Sequence, residues 1–278
     1  MSDAAPAAEQ RLAFGRVAEQ YERARPSYPA SAIDEVLAYA GVGAGDRVVE
    51  VGAGTGKATR LLSARGLRVP ALEPDASMAA ICRRVTDPAL VEVQELDFES
   101  WRARSPVRLV FCAQAWHWLD PQLRWRRAAE ALSPGGAVAA IWTFPLWERI
   151  ALRAALDAAY DAAVPEMAAD FPLHPGSRAE RFAGNWHEDI GAGFEDVRVT
   201  AHDWAQPYTA TQYTQMIATH QDHIRLEPAR REALLGRVRA VIERDGGGRV
   251  EIAYRTTVCL ARRAGRSGDA ARELRASP

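Results

Sequence analysis

The segment Val48-Val49-Glu50-Val51-Gly52-Ala53-Gly54-Thr55-Gly56 limits what this chain can become more than any other stretch. It joins a short apolar run, predicted as a strand over 47–51, to a helix predicted over 57–64. Glycines at alternate positions let backbone pass close to a ligand where a parallel strand ends, and open α/β sheets bind their ligands at that edge. The surrounding chain alternates in the same way. Strands are expected over 68–72, 91–93, 107–112 and 137–142, with helices over 31–39, 76–84 and 123–132. Such alternation implies a parallel sheet covered by helices on both faces. Ser133-Pro134-Gly135-Gly136 reads as a helix stop and tight turn before the last of these strands.

An acid, Glu73, closes the next strand roughly 20 residues beyond the loop, a spacing that suits a carboxylate gripping ribose hydroxyls. Two ligand classes use this geometry. A dinucleotide wants G-x-G-x-x-G with its pyrophosphate at the helix N-terminus, and the third glycine of that pattern falls here on Lys57. Glu50 argues in the same direction, because a carboxylate just before the loop repels a diphosphate and attracts the ammonium of an amino acid. Charge therefore favours S-adenosylmethionine over a nicotinamide cofactor.

In these residues the chain resembles the class I S-adenosylmethionine-dependent methyltransferases. Glu50-Val51-Gly52-Ala53-Gly54-Thr55-Gly56 with Glu73 is similar to the first two motifs of that family. Leu96-Asp97-Phe98 resembles the segment that contacts the adenine. Val110-Phe111-Cys112-Ala113-Gln114-Ala115-Trp116-His117-Trp118 resembles the fourth-strand motif beside the transferred methyl, and Leu132-Ser133-Pro134-Gly135-Gly136 the turn before the fifth strand. The resemblance covers residues 17–143 well and 252–262 more loosely. It implies a Rossmann-like α/β fold: a mostly parallel, doubly wound sheet with an antiparallel last strand and a helical lid. It also implies cofactor contacts from Gly52, Ala53, Gly54 and Thr55, from Glu73 and Pro74, from Asp97 and Phe98, and from Ala113 and Gln114. Tyr21-Glu22-Arg23-Ala24-Arg25-Pro26-Ser27-Tyr28-Pro29, taken with Ala115-Trp116-His117-Trp118, is similar to the branch containing the trans-aconitate methyltransferases. In that branch the N-terminal segment is expected to fold over the bound cofactor.

Past Pro145 the alternation stops. A helix is expected over 150–163, irregular proline-containing chain over 165–186, and a strand over 197–204. Helices over 211–223 and 228–243 precede a flexible Gly246-Gly247-Gly248 and a last strand over 250–260. The expected organisation is a capping segment, 1–30, whose short helix carries Phe14, Val17 and Tyr21; a cofactor-binding core, 31–145; an acceptor lid, 146–248; a final core strand, 249–263; and a disordered tail, 264–278. A formal charge of -1 offers no global field for nucleic acid or an anionic membrane. The N-terminus does not read as a signal peptide, and no stretch reaches the roughly 18 apolar residues of a spanning helix. Cys82, Cys112 and Cys259 are expected as core thiols of a cytoplasmic protein, a monomer or weak dimer without a metal.

Several residues carry two readings. His117 either contacts the acceptor, as general base for a hydroxyl, or holds its turn through a backbone carbonyl. Of Trp116 and Trp118, at least one packs in the core and the other faces the sulfonium or acceptor. Tyr21, Arg25 and Tyr28 form either a surface helix end or a cap, with Arg25 pairing the methionine carboxylate and Tyr28 on the acceptor side. Trp147 opens the lid, and His220 with His223 marks a solvated or lid-lining helix face without further metal ligands. Arg225 is a candidate for an anionic acceptor, and the arginines over 230–239 read as an ordinary charged face. Cys112-Ala113-Gln114-Ala115 lacks the segment of amino-methylating nucleobase enzymes, and Phe111 stands where cytosine C5 enzymes place proline. A small O-methylated molecule, carboxylate or hydroxyl, is the expected acceptor. A peptide or protein carboxyl group, a cofactor-binding protein without turnover, and a nicotinamide-dependent oxidoreductase are the rival readings.

Overall fold

The computed structural model describes residues 18–170, 190 and 193–265. Phe14 and Val17, the chain over 171–186, and the tail over 266–278 lie outside the described residues. Helix α1 (Ala18–Ala24) ends at the proline-rich turn, and α2 (Ala30–Ala40) leads to β1 (Val49–Val51). The alternation then runs α3 (Lys57–Ser63), β2 (Val69–Leu72), α4 (Ala76–Val85), β3 (Val91–Gln94), β4 (Val107–Ala113), α5 (Arg124–Ala131) and β5 (Leu132–Pro145). The lid region supplies α6 (Arg153–Ala163), α7 (Pro165–Asp170), β6 (Phe194–Thr209), α8 (Ala210–Ile217), α9 (Gln221–Ile224) and α10 (Pro228–Asp245) before β7 (Arg249–Arg263).

The sheet order is β3-β2-β1-β4-β5-β7-β6. Strands β1 to β5 pair in parallel, and β7 runs antiparallel between β5 and β6. Alternate residues of β4 serve opposite faces, as a pleated strand requires. Leu109, Phe111 and Ala113 pack with α2 and α3 through Ile33, Val36 and Leu62. Val110 and Cys112 pack with Trp101, Trp125 and Ala128 on the other side. Two separately buried faces make this a doubly wound sheet. All three cysteines are free and buried within it.

The last three strands differ from the expected ones in length. β5 starts at Leu132, so Ser133-Pro134-Gly135-Gly136 forms an irregularity inside a strand: Val107 pairs with Leu132 while Leu109 already pairs with Ala137. β6 extends to both sides of the expected 197–204, because Phe194 and Glu195 before it and every residue from Ala205 to Thr209 after it find a β7 partner, with a register shift between Glu195 and Arg198. The helix expected over 211–223 is two helices, α8 and α9, separated by a turn over 218–220. Gly246-Gly247-Gly248 forms a hydrogen-bonded turn, both Gly246 and Gly248 donating to the Ile242 carbonyl. The outcome matters for function: β5, β6 and β7 run past the ends of β1 and β2 and carry α6, α8 and α10 on an apolar cluster of their own, including Tyr160, Tyr213, Leu234 and Ile252.

Candidate functional site

One cavity of about 560 Å³ opens where β1, β2, β4 and β5 end, lined there by Val51, Leu72, Ala113 and Thr143. The cap, the core and the lid all contribute walls. Its floor is the glycine turn. Gly52 has φ +68, and a Cβ built on it would stand 2.4 Å from the Ala115 Cβ, so this position excludes any side chain. The Gly54 N–H donates to Glu73 Oε2 at 2.8 Å, and the Asp75 N–H donates to Glu73 Oε1 at 2.9 Å. Glu73 therefore fixes the loop to the end of β2. Its carboxylate also lines the cavity.

Glu50 lies behind the cradle. It is 1% exposed and lines a small side pocket with Gly52, Ala53, Thr55 and Tyr28. Its Oε2 is buried with no hydrogen-bond partner. Burial pushes its carboxyl up to about 8, and the Glu73 charge adds to the rise. A buried acid in this condition is completed by a cation with hydrogens to donate. An α-ammonium group meets that need and a diphosphate does not.

The remaining expected positions distribute as follows. Pro74, Leu96, Asp97, Phe98 and Gln114 line the cavity, while Ala53 and Thr55 reach only the side pocket. Asp97 Oδ1 accepts from the Ser100 N–H at 2.7 Å, and Gln114, at φ +60, donates its side-chain N–H to the Thr143 carbonyl at 2.8 Å. β4 has already ended when the chain reaches Trp116-His117-Trp118, which forms one turn of 3-10 helix, so strand alternation does not decide where these side chains point. Trp116 is in the core, edge-on to Trp125, and Trp118 lines the cavity. His117 lines it as well, its Nδ1 accepting from Trp142 Nε1 at 3.3 Å.

Tyr21, Arg25 and Tyr28 face the cavity from the cap. Arg25 donates through Nε to Thr219 Oγ1 at 2.8 Å and through a terminal nitrogen to the Thr219 carbonyl, which ties the cap to the lid. From the lid come Trp147, whose Nε1 is held by Asp157 Oδ1 at 2.8 Å, and His220. Of the face expected to be solvated or lid-lining, His220 lines the cavity, whereas His223 is not solvated: it is fully buried and bonded through Nε2 to the Tyr160 hydroxyl at 2.9 Å. Burial and the Arg25 charge hold His223 down to about 4. Arg225 is exposed and is not among the cavity-lining residues, so it serves no acceptor there.

Sequence reasoning missed a clasp between cap and glycine loop. Glu22 accepts from Thr55 Oγ1 at 2.6 Å, pairs with Arg60 at 2.8 Å, and takes the Lys57 ammonium on its backbone carbonyl at 2.7 Å. The one available signal was Lys57 itself, the single lysine of the chain, at the first turn of α3 where a helix disfavours cations. Also missed were the tyrosines at 160, 213 and 254, which line the lid half of the cavity. They read as ordinary core residues in sequence.

The glycine turn at the carboxyl edge of a doubly wound sheet, with one buried acid behind it and a second tied to it, is the ligand edge of a Rossmann-like α/β fold. Comparison with known proteins points the same way: residues 48–136 match the model of the methyltransferase-domain family. An uncharacterized methyltransferase of Mycobacterium tuberculosis is 40% identical over 134 residues, 47% of this chain and 52% of the relative. The yeast protein CRG1, from Saccharomyces cerevisiae, described as an S-adenosylmethionine-dependent methyltransferase, is 28% identical over 134 residues, 46% of this chain and 43% of that protein. The match thus spans about half the length of these curated relatives or less. Among solved structures, a proposed type II methyltransferase from Anaeromyxobacter dehalogenans has the same fold, with a TM-score of 0.61 at 18% identity over 87% of this chain and 99% of that one. Among the described residues no helix is long and apolar enough to cross a membrane, and no group of three or more His, Cys, Asp or Glu residues is placed to hold a metal.

Proposed function

We propose that this protein transfers a methyl group from S-adenosylmethionine to an oxygen of a small molecule. The observation that carries the reading is the unpartnered Glu50 Oε2 behind a turn whose Gly52 lies so close to Ala115 that it admits no Cβ. When bound, S-adenosylmethionine supplies a methyl group on an already activated sulfonium. Glu50 would hold the ammonium, Glu73 the ribose hydroxyls, and Asp97 with Phe98 the adenine side. Arg25 is left for the methionine carboxylate with the hydrogens that Thr219 does not use. The chain's own contribution to rate is then alignment and exclusion of water, since the acceptor atom must lie in line behind the methyl. The aromatic lid half supports a small acceptor over a polymer, as does the likeness of 21–29 and 115–118 to the trans-aconitate branch. His117, beside the cradle, faces the acceptor.

Labelled-methyl donor incubated with the protein and a cell extract tests this, with mass spectrometry of small molecules and of proteins in parallel. Label on a small molecule as an ether or ester is the expected result. Label only on protein carboxyl groups would replace the acceptor class, and tight S-adenosylhomocysteine binding with no label anywhere would replace transfer by binding alone.

A further inference from the structure

We propose that the acceptor is a flat aromatic alcohol and that His220, from the lid, takes its proton as the methyl is transferred. The inference rests on the methyltransferase reading and deepens it. His117 is poorly placed for that task. The indole N–H of Trp142 can only donate, so His117 Nδ1 spends its lone pair on it and the neutral ring carries its proton on Nε2. His117 thus donates a hydrogen bond and takes no proton in this arrangement.

His220 differs. Its imidazole lines the same cavity and makes no side-chain hydrogen bond or ion pair among the described residues; its ring neighbour is His223, edge-on at 5.5 Å between centroids. His223 is bound to Tyr160, which leaves His220 as the lid imidazole with a lone pair toward the cavity. Burial first, then the charge of Arg25 and the neighbouring His223, keep its pKa well below the usual histidine value, so the ring is neutral at physiological pH. Beside it, Gln221 Nε2 is buried without a partner. A hydroxyl is the group that donates to one neighbour and accepts from the other. A carboxylate finds less here, because Asp222 lines the cavity and Arg25, in the proposed reading, is shared between Thr219 and the methionine carboxylate. Trp147, Tyr160, Tyr213 and Tyr254 line the same cavity, and such aromatic walls suit a planar ring.

In the step proposed, the acceptor oxygen forms its bond to the methyl carbon as the carbon–sulfur bond breaks, whose electrons stay on sulfur. The hydroxyl proton passes to a His220 ring nitrogen. The positive charge lost at sulfur reappears on the imidazole, so the cavity's total charge is unchanged.

The test uses para-substituted phenols from weakly acidic to nitrophenol, with benzoate alongside, scored by S-adenosylhomocysteine released. Calorimetry gives the affinity for S-adenosylhomocysteine and for each phenol in its presence. Wild-type protein is expected to methylate phenols. His220→Asn should leave both affinities within about threefold while lowering kcat on the order of 100-fold for the least acidic phenol, the loss shrinking as acidity rises. If His220→Asn does not bind S-adenosylhomocysteine, His220→Gln carries the same comparison. An equal loss across the series, no loss, or a wild-type protein that turns over no phenol overturns the inference. Failure of wild-type protein to bind S-adenosylhomocysteine sinks instead the reading beneath it.

Discussion

At the scale of single residues, Glu50 carries the most consequence. Its carboxyl, raised to about 8 by burial, is mostly protonated near neutral pH in the empty protein. The folded value lies above the ordinary 4.5, so between about 4.5 and 8 the folded chain holds a proton that the unfolded chain has lost. Stability due to this group therefore falls as pH rises through that window, by at most about 1.4 kcal/mol per pH unit. A series of denaturant titrations should show that decline in wild-type protein and a flatter profile in Glu50→Gln; identical profiles would mean Glu50 is solvated. An incoming ammonium reverses the balance and favours the ionised acid. Binding of S-adenosylhomocysteine at pH 7 is then expected to release close to one proton, measured by calorimetry in buffers of different ionisation enthalpy. Gly52→Ala makes a second, independent demand on the same place. Its Cβ would overlap Ala115 at 2.4 Å, so S-adenosylhomocysteine affinity should drop by roughly 100-fold or more, about 3 kcal/mol, even where the protein still folds.

Between elements, the join of α1 to the glycine turn is the feature with functional weight. Glu22 receives Thr55, Lys57 and Arg60 from the turn and the start of α3, and these groups are largely shielded from water, with Glu22 16% and Lys57 12% exposed. Removing the acid leaves the Lys57 ammonium on the backbone carbonyl of residue 22 but takes away its counter-charge, and burial already lowers its pKa. Glu22→Ala is therefore expected to loosen the cap and weaken S-adenosylhomocysteine binding about 10-fold, with a faster off-rate in stopped flow. An unchanged off-rate would make the clasp a packing feature only. This clasp also marks how far the sequence could be read. The loop, Glu73 and the β1–β5 alternation were legible because each depends on local spacing: glycine where backbone must pass close, apolar residues in short runs between helices. Glu22 was not, since what gives it meaning is a partner 33 residues away, Thr55, reached only after α2 and β1 are in place. The tyrosines of the lid were hidden for a related reason. A buried aromatic residue looks the same in sequence whether its ring meets another side chain or a cavity. β5 was misjudged at its start because Ser133-Pro134-Gly135-Gly136 has turn chemistry, yet pairing of Leu132 with Val107 continues the ladder around it.

For the whole molecule, the cavity is a joint product of three parts, cap, core and lid. Cap and lid meet through Arg25 on Thr219 and Gln20 on the Gln215 carbonyl, and both stand over a core that supplies the cradle. A ligand that bridges all three parts binds the folded arrangement and not the unfolded chain, so it raises the melting temperature by mass action. At a hundredfold excess over its dissociation constant the gain is about 2.7 kcal/mol, which for a chain of this length corresponds to roughly 5 °C. S-adenosylhomocysteine should give that rise, and NADH at equal concentration none. The two compounds share an adenosine and differ in what meets Glu50: an amino acid in one and a diphosphate in the other. Their comparison therefore isolates the acid from the rest of the site. Glu50→Gln removes the acid's charge while keeping its shape, and in that variant the gap between the two ligands should narrow. A shift with NADH and none with S-adenosylhomocysteine would mean that the cradle accepts phosphate despite two flanking carboxylates, and charge at position 50 would no longer explain what this fold holds.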